Sequence, residues 1–354
     1  MIKKNMKIKK FIIMALVIVA VGNMTACSDK SRNSDVGDNQ SVVTGSAIRF
    51  EPGKFGPGIY GVNDKFISWE DLEKKGYLRV ENHKLITDVS EETGENSTEN
   101  SIKGAIVLPD GITEIGNKVF SSCGIFYVSI PNSVDKIGDE AFGYCGYLDN
   151  IDLPEKLTSI GKRTFADSGI EHMAIPAEVK QIGAEAFAEC DKLKEVDFPD
   201  ELENIEQGVL RDCKSLTRVK LPKKLKSIKA SFIENCKSLG ELEIPAGVRT
   251  VDMSAFAGSG LSEIVLPENL KEIENTNKDT KVFNGREGDD HPTQNLRVIE
   301  IRSKKLEKIQ KNSFSGLPAQ VVIKVPSDKR EEYTKMLYKS GLSKKIVVQA
   351  KSTQ

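Results

Sequence analysis

Five cysteines hold one recurrent place in this chain: Cys123, Cys145, Cys190, Cys213 and Cys236, each three residues after a bulky apolar position. A thiol ligates metals, oxidises or attacks electrophiles, so such a series is the first place to look for chemistry. Its spacing argues otherwise. No Cys-x-x-Cys pair of the kind that builds a zinc site is present. Ser168 and Ser259 fill the same place in two further units, so the position asks for a small side chain rather than for sulfur. Parallel Cβ vectors on neighbouring coils rarely meet the roughly 3.5–4.5 Å that a disulfide needs. Buried structural thiols are the expectation, with disulfides and a metal site as the alternatives.

The remaining chemical candidates are weak. His83, His172 and His291 are scattered and read as surface histidines, with no metalloprotease or triad grouping. Gly56-Pro57-Gly58-Ile59-Tyr60-Gly61 matches a dinucleotide fingerprint in form, yet no strand–turn–helix context surrounds it and Pro57 breaks the turn. Residues 275–280 resemble a calcium loop but lack Gly at the sixth place and Glu at the twelfth, where Arg286 stands. Carboxylates are spread over every unit without a distinguished pair. No catalytic residue, metal or cofactor is assigned, and the chain is not read as an enzyme.

What must position these residues is a repeat. Pro109, Pro131, Pro154, Pro176, Pro199, Pro222, Pro245 and Pro267 recur at intervals of 22 or 23 residues. Eleven residues after the first seven stand Phe120, Phe142, Phe165, Phe187, Leu210, Ile233 and Phe256, and Phe283 follows the last proline after a polar insertion. Such a period marks a solenoid of stacked coils. In each unit an alternating strand precedes the proline, which lacks an N–H and stops the strand. Two apolar residues then turn the chain inward, and the large residue plugs the coil. About ten strands are countable, the last two over residues 296–301 and 321–325.

Residues 179–190, Val-Lys-Gln-Ile-Gly-Ala-Glu-Ala-Phe-Ala-Glu-Cys, carry the I-G-x-x-A-F-x-x-C pattern, and L-x-x-I-x-L-P precedes it in the typical unit. The array resembles the BspA-type leucine-rich repeats of bacterial surface proteins. The resemblance implies a parallel β solenoid closed by a helix, here over residues 333–342 with Gly341 at its end. It also implies kinship with adhesins that bind host or neighbouring-cell proteins.

Residues four and two before each proline should face outward: Tyr127/Ser129, Asn150/Asp152, His172/Ala174, Glu195/Asp197, Arg218/Lys220, Glu241/Glu243 and Glu263/Val265. At a strand spacing of about 4.8 Å, Glu195–Arg218–Glu241 and Asp197–Lys220–Glu243 are expected to form two facing charge ladders. Either they neutralise the sheet, or the strip docks a polar, cationic partner beside its Tyr127/His172 end. The insertion at 274–295, with Asp289, Asp290 and His291, is the second candidate surface.

The N-terminus reads as a targeting segment. Lys3, Lys4, Lys7, Lys9 and Lys10 precede an apolar stretch over residues 11–21, too short to span a bilayer of about 30 Å. Met24-Thr25-Ala26-Cys27 resembles a lipobox, which implies cleavage after residue 26 and acylation of Cys27; an ordinary secretory signal is the alternative. Residues 27–46 read as a tether, 47–100 as an N-terminal cap or small module, 101–326 as the array and 327–354 as a C-terminal cap. With 51 basic and 52 acidic residues, the chain has no net field for nucleic acid. The expected protein is a lipid-anchored, extracytoplasmic recognition or adhesion module with a protein partner, monomeric by preference. An envelope scaffold, or display of a ligand-binding module in 47–100, is the alternative.

Overall fold

The computed structural model describes residues 57–60, 66–87, 102–276, 282–283 and 295–351. The signal segment, Cys27, the tether, and Asp289, Asp290 and His291 of the insertion lie outside the described residues. The rest is a β solenoid of about ten turns with mostly parallel strands.

Each coil closes three backbone ladders against its neighbours. The first lies before the prolines, in three runs. Lys103–Val107, Gly124–Ser129 and Asn150–Asp152 form one; His172–Ala174, Glu195–Asp197 and Arg218–Lys220 another; Glu263–Leu266, Val298–Ile301, Val322–Val325 and Val347–Ala350 the third. A second ladder of two- and three-residue strands begins at Lys84–Ile86, continues through Glu114–Ile115, Lys136–Ile137, Ser159–Ile160 and Gln181–Ile182, and resumes at Ser227–Ile228. The third runs through the plugs without regular strands. In one coil the N–H groups of Glu140, Phe142 and Tyr144 donate to Lys162 O, Thr164 O and Ala166 O of the next, at 2.8, 2.9 and 2.6 Å. Donors at alternate residues all aim along the axis because the two flanking residues are left-handed, with φ of 54° for Glu140 and 62° for Tyr144. That conformation costs a non-glycine residue roughly 1–2 kcal/mol, and the inter-coil hydrogen bonds and plug burial outweigh it.

Like residues stack on like. The rings of Phe120, Phe142, Phe165 and Phe187 are fully buried and stacked, with centroids 5.3, 5.7 and 5.5 Å apart in succession. Four residues before the plugs, glycine recurs because coils meet there: a Cβ on Gly161 would lie 2.5 Å from Gly138 C, and one on Gly183 2.5 Å from Lys162 N. Ring stack, glycine column and second ladder all stop at the Phe187 coil. Leu210 and Ile233 plug the next two, and Glu206 and Lys229 take the glycine place.

At the front, Gly58–Tyr60 lies antiparallel to both Phe66–Ser68 and Lys103–Val107, and Arg79–Glu81 lies antiparallel to Lys84–Ile86. Between them runs a short helix, α1 (Trp69–Lys74), capped by Ser68, whose Oγ accepts from Asp71 N at 3.2 Å. At the other end α2 (Arg330–Lys339) buries Tyr333 and Leu337, and Gly341 leaves it with φ 99°. The Tyr333 hydroxyl accepts from Leu306 N at 3.1 Å, fastening the helix to the coil. One strand lies beyond those expected: Val347–Ala350 returns after α2 and pairs in parallel with Val322–Val325. Val347 is half exposed, and no proline follows this strand.

Phe142 and Phe165 share faces with a ring on either side. Phe142→Ala is expected to lower stability by about 3–5 kcal/mol, and Phe142→Leu by less than half of that, read from urea midpoints at constant m-value.

Candidate recognition surface

All five repeat cysteines are buried thiols. Each of four donates to the plug carbonyl of the preceding coil: Cys145 Sγ to Phe120 O at 2.9 Å, and Cys190, Cys213 and Cys236 to Phe165 O, Phe187 O and Leu210 O at 3.1 Å. Ser259 Oγ reaches Phe256 O within its own coil, at 2.7 Å. Burial pushes the Cys145 and Cys236 thiols far above their ordinary range. A column of small buried donors, in which Ser168 bonds Cys190 Sγ at 3.4 Å, explains why Ser can stand in for Cys. Among the described residues, no group of three or more His, Cys, Asp or Glu side chains could hold a metal ion.

The strip residues lie on the ladder before the prolines, where the expected register holds in two runs. Tyr127 stands opposite Asn150 and Ser129 opposite Asp152; His172, Glu195 and Arg218 follow in line, as do Ala174, Asp197 and Lys220. Tyr127 is half-buried, and burial followed by the Asp152 charge raises its phenol above the usual range. Asn150 is exposed and bonds its neighbour Asp149 at 3.2 Å. Asp152 and His172 are exposed, and no strand pairing joins their two runs.

The two facing charge ladders do not form. Arg218 takes both acids of the preceding strand, with Nη2 2.7 Å from Glu195 and Nη1 2.7 Å from Asp197. Lys220 turns to Asp200 instead, at 3.1 Å. A forked guanidinium spans two carboxylates that a single ammonium cannot. Glu241 and Glu243 do not join, since residues 241–244 form no strand and Arg218 and Lys220 turn to acids of the preceding coil. Glu241, Glu243 and, on the next strand, Glu263 are exposed and make no ion pair with a described residue.

A wider pattern surrounds these residues. Glu189, Asp191, Glu195, Asp197, Asp200, Glu201, Glu203 and Glu206 lie in one coil; Arg211, Lys214, Arg218, Lys220, Lys223, Lys224, Lys226 and Lys229 lie in the next. Pairs 22 or 23 residues apart meet around the coil: Glu189–Arg211 at 2.8 Å, Asp191–Lys214 at 2.9 Å, Asp200–Lys223 at 2.7 Å, Glu201–Lys224 at 2.5 Å and Glu206–Lys229 at 2.6 Å. Hydrogen bonds from Lys223 and Lys220 hold the Asp200 carboxyl below its ordinary range. Offsetting the sequence by one period finds this belt, whereas following only the outward strip finds two of its pairs. It clamps the place where ring stack and glycine column stop.

Two outcomes follow. In a Cys27→Ala chain, the thiols should resist Ellman's reagent at neutral pH and react fully in denaturant. Reversing Lys223, Lys224, Lys226 and Lys229 to Glu should lower the thermal midpoint in low salt. The loss should shrink in concentrated NaCl and vanish when Asp200, Glu201, Glu203 and Glu206 become Lys. Because the Asp200 carboxyl is depressed in the fold, its contribution is present above the ordinary carboxylate value and lost as pH falls below it. Acid should therefore lower the midpoint more in the unaltered chain than in the lysine-reversed one.

The pattern of BspA type leucine rich repeat regions matches residues 86–194 and 164–277, in six copies. No curated protein matches the chain. A leucine-rich repeat protein from Bacteroides ovatus is similar in structure, at 26% identity and a TM-score of 0.55, over 71% of this chain and 61% of that protein. This chain thus spans less than two thirds of that relative's length. A leucine rich repeat protein from T. pallidum is 26% identical over 49% of this chain and 85% of that one, with a TM-score of 0.40. With six matched copies over more than half of its length, folded as the stacked coils just described, the chain belongs to the BspA-type leucine-rich-repeat family.

Proposed function

We propose that this chain is an extracytoplasmic recognition or adhesion module, held to a membrane through acylated Cys27, that captures a protein partner on the face before its prolines. One observation carries the reading. Next to a belt in which charges are matched across coils, Glu241, Glu243 and Glu263 stand exposed without an ion partner among the described residues. A solenoid offers a broad surface rather than a cleft, and paired charges in the belt have little to give a ligand. Exposed carboxylates at adjacent strand positions suit a basic segment of a partner, whose approach they would also steer. Toward the front, Tyr147 is 51% exposed ahead of the Asn150 strand. With half-buried Tyr127 and exposed His172 it supplies aromatic contact of the kind interfaces favour. Two acyl chains would hold the module stably at a membrane.

The test is capture by the full-length chain in mild detergent, against immobilised extracellular-matrix proteins and against envelope extract of the producing cells. Saturable binding to basic proteins is expected, lost in a Glu241→Lys/Glu243→Lys variant and weakened in concentrated salt. Binding indifferent to that reversal would reject the surface, and partners confined to the envelope extract would favour a scaffold. Separately, Cys27→Ala should abolish incorporation of labelled fatty acid and move the chain from membrane to soluble fractions.

A further inference from the structure

Beyond Glu263 the same face changes sign. A cavity of about 730 Å³ opens where the strands Glu263–Leu266, Val298–Ile301, Val322–Val325 and Val347–Ala350 end, with Glu300, Arg302, Lys304, Lys324, Asp328 and Lys351 in its wall. Glu300 is the innermost charge, 7% exposed. Its Oε1 accepts from Arg302 Nε and from Lys351 Nζ, both at 2.7 Å. Lys304 is matched by Asp328 at 3.0 Å. Lys324, half-buried on the strand between those of Glu300 and Gln349, makes no ion pair with a described residue. One carboxylate thus faces three cations, Arg302, Lys324 and Lys351, and the remaining acid in the wall is exposed Glu268.

A half-buried ammonium beside an already shared carboxylate is short of a counter-ion, and in a recess each charge-assisted hydrogen bond is stronger than on open surface. We propose that this cavity receives a carboxylate side chain, Asp or Glu, of a bound polypeptide, placed between Lys324 and the Arg302–Lys351 pair. The carboxylate follows from the charges and the geometry; its polypeptide origin rests on the recognition reading above. Glu263 lies two strands from Lys324, roughly 10 Å at parallel-sheet spacing, or about three residues of extended chain. The face therefore suits a segment with a basic residue over the glutamates and an acidic one a few residues away, in the cavity. Glu300 acts as a positioning residue here, since it aims Arg302 and Lys351 without needing to touch the ligand.

The probes are fluorescein-labelled Lys-Gly-Gly-Glu-amide, its Gln analogue, and Gly-Gly-Gly-Glu-amide, titrated by anisotropy into the full-length chain in detergent at low salt. The Glu probe should bind about tenfold tighter than the Gln analogue, the ordinary scale for one charge-assisted contact. Lys324→Gln should erase that difference without moving the thermal midpoint, Lys324→Arg should keep it, and Lys156→Gln, on an exposed turn, should change nothing. The Glu241→Lys/Glu243→Lys variant separates the two readings. If Gly-Gly-Gly-Glu-amide still binds it, the carboxylate site stands even where the acidic strip fails. Equal binding of Glu and Gln probes, or indifference to Lys324→Gln, overturns the site. Capture of glucuronate or inorganic phosphate without either Glu probe overturns the polypeptide assignment.

Discussion

Backbone hydrogen bonding between coils holds residues of this solenoid one strand spacing from their counterparts in the next coil, 22 or 23 positions away through the central coils. Everything else follows from that registration. A column must tolerate its own residue type stacked on itself, or else alternate with a complement. Phenylalanine, glycine and cysteine solve the first problem in three ways. Rings lie flat on rings, absent Cβ atoms let backbones touch, and small thiols reach back to a carbonyl of the coil before. Charges require the second solution, and the acidic coil against the basic coil is that solution carried around most of a turn.

The same registration explains why sulfur is chemically quiet here. A column of five cysteines is suggestive in isolation, but the thiols are enclosed in a packed wall, four of them donating to a carbonyl of the preceding coil. Burial raises Cys145, Cys213 and Cys236 away from the thiolate that reactivity would need. Serine in the same column also donates to a plug carbonyl, though that of its own coil. Structural demand, rather than reactivity, accounts for the pattern.

The proposed recognition surface lies where the registration leaves charges unmatched. Within the belt, an Arg in one coil spans two acids of its neighbour, so side chains that look available in the sequence are occupied. Past the belt, residues 241–244 lose their strand, and Arg218 and Lys220, one period before Glu241 and Glu243, are taken up by acids of the preceding coil. Farther on, chain returning from α2 brings Lys351 against Glu300, producing a recess of opposite sign on the same face. A gradient from acidic to basic along a few strands is a property of no single repeat.

Much of the fold is legible in the sequence alone. Period, plugs, inward strands and buried thiols follow from local burial patterns repeated often enough to exclude chance, and the closing helix follows from the family resemblance. The outward register of Tyr127, His172, Glu195 and Arg218 follows too, because strand alternation is strict. Tertiary structure decided the rest. Which acid Arg218 or Lys220 takes depends on rotamers chosen among several neighbours a few ångströms apart, and spacing does not encode that choice. That residues 241–244 form no strand is likewise not legible in their apolar alternation, which matches that of the strand units before them. The strand Val347–Ala350 and the Lys324–Lys351 recess arise from chain outside the repeat period, where only folding brings distant residues together.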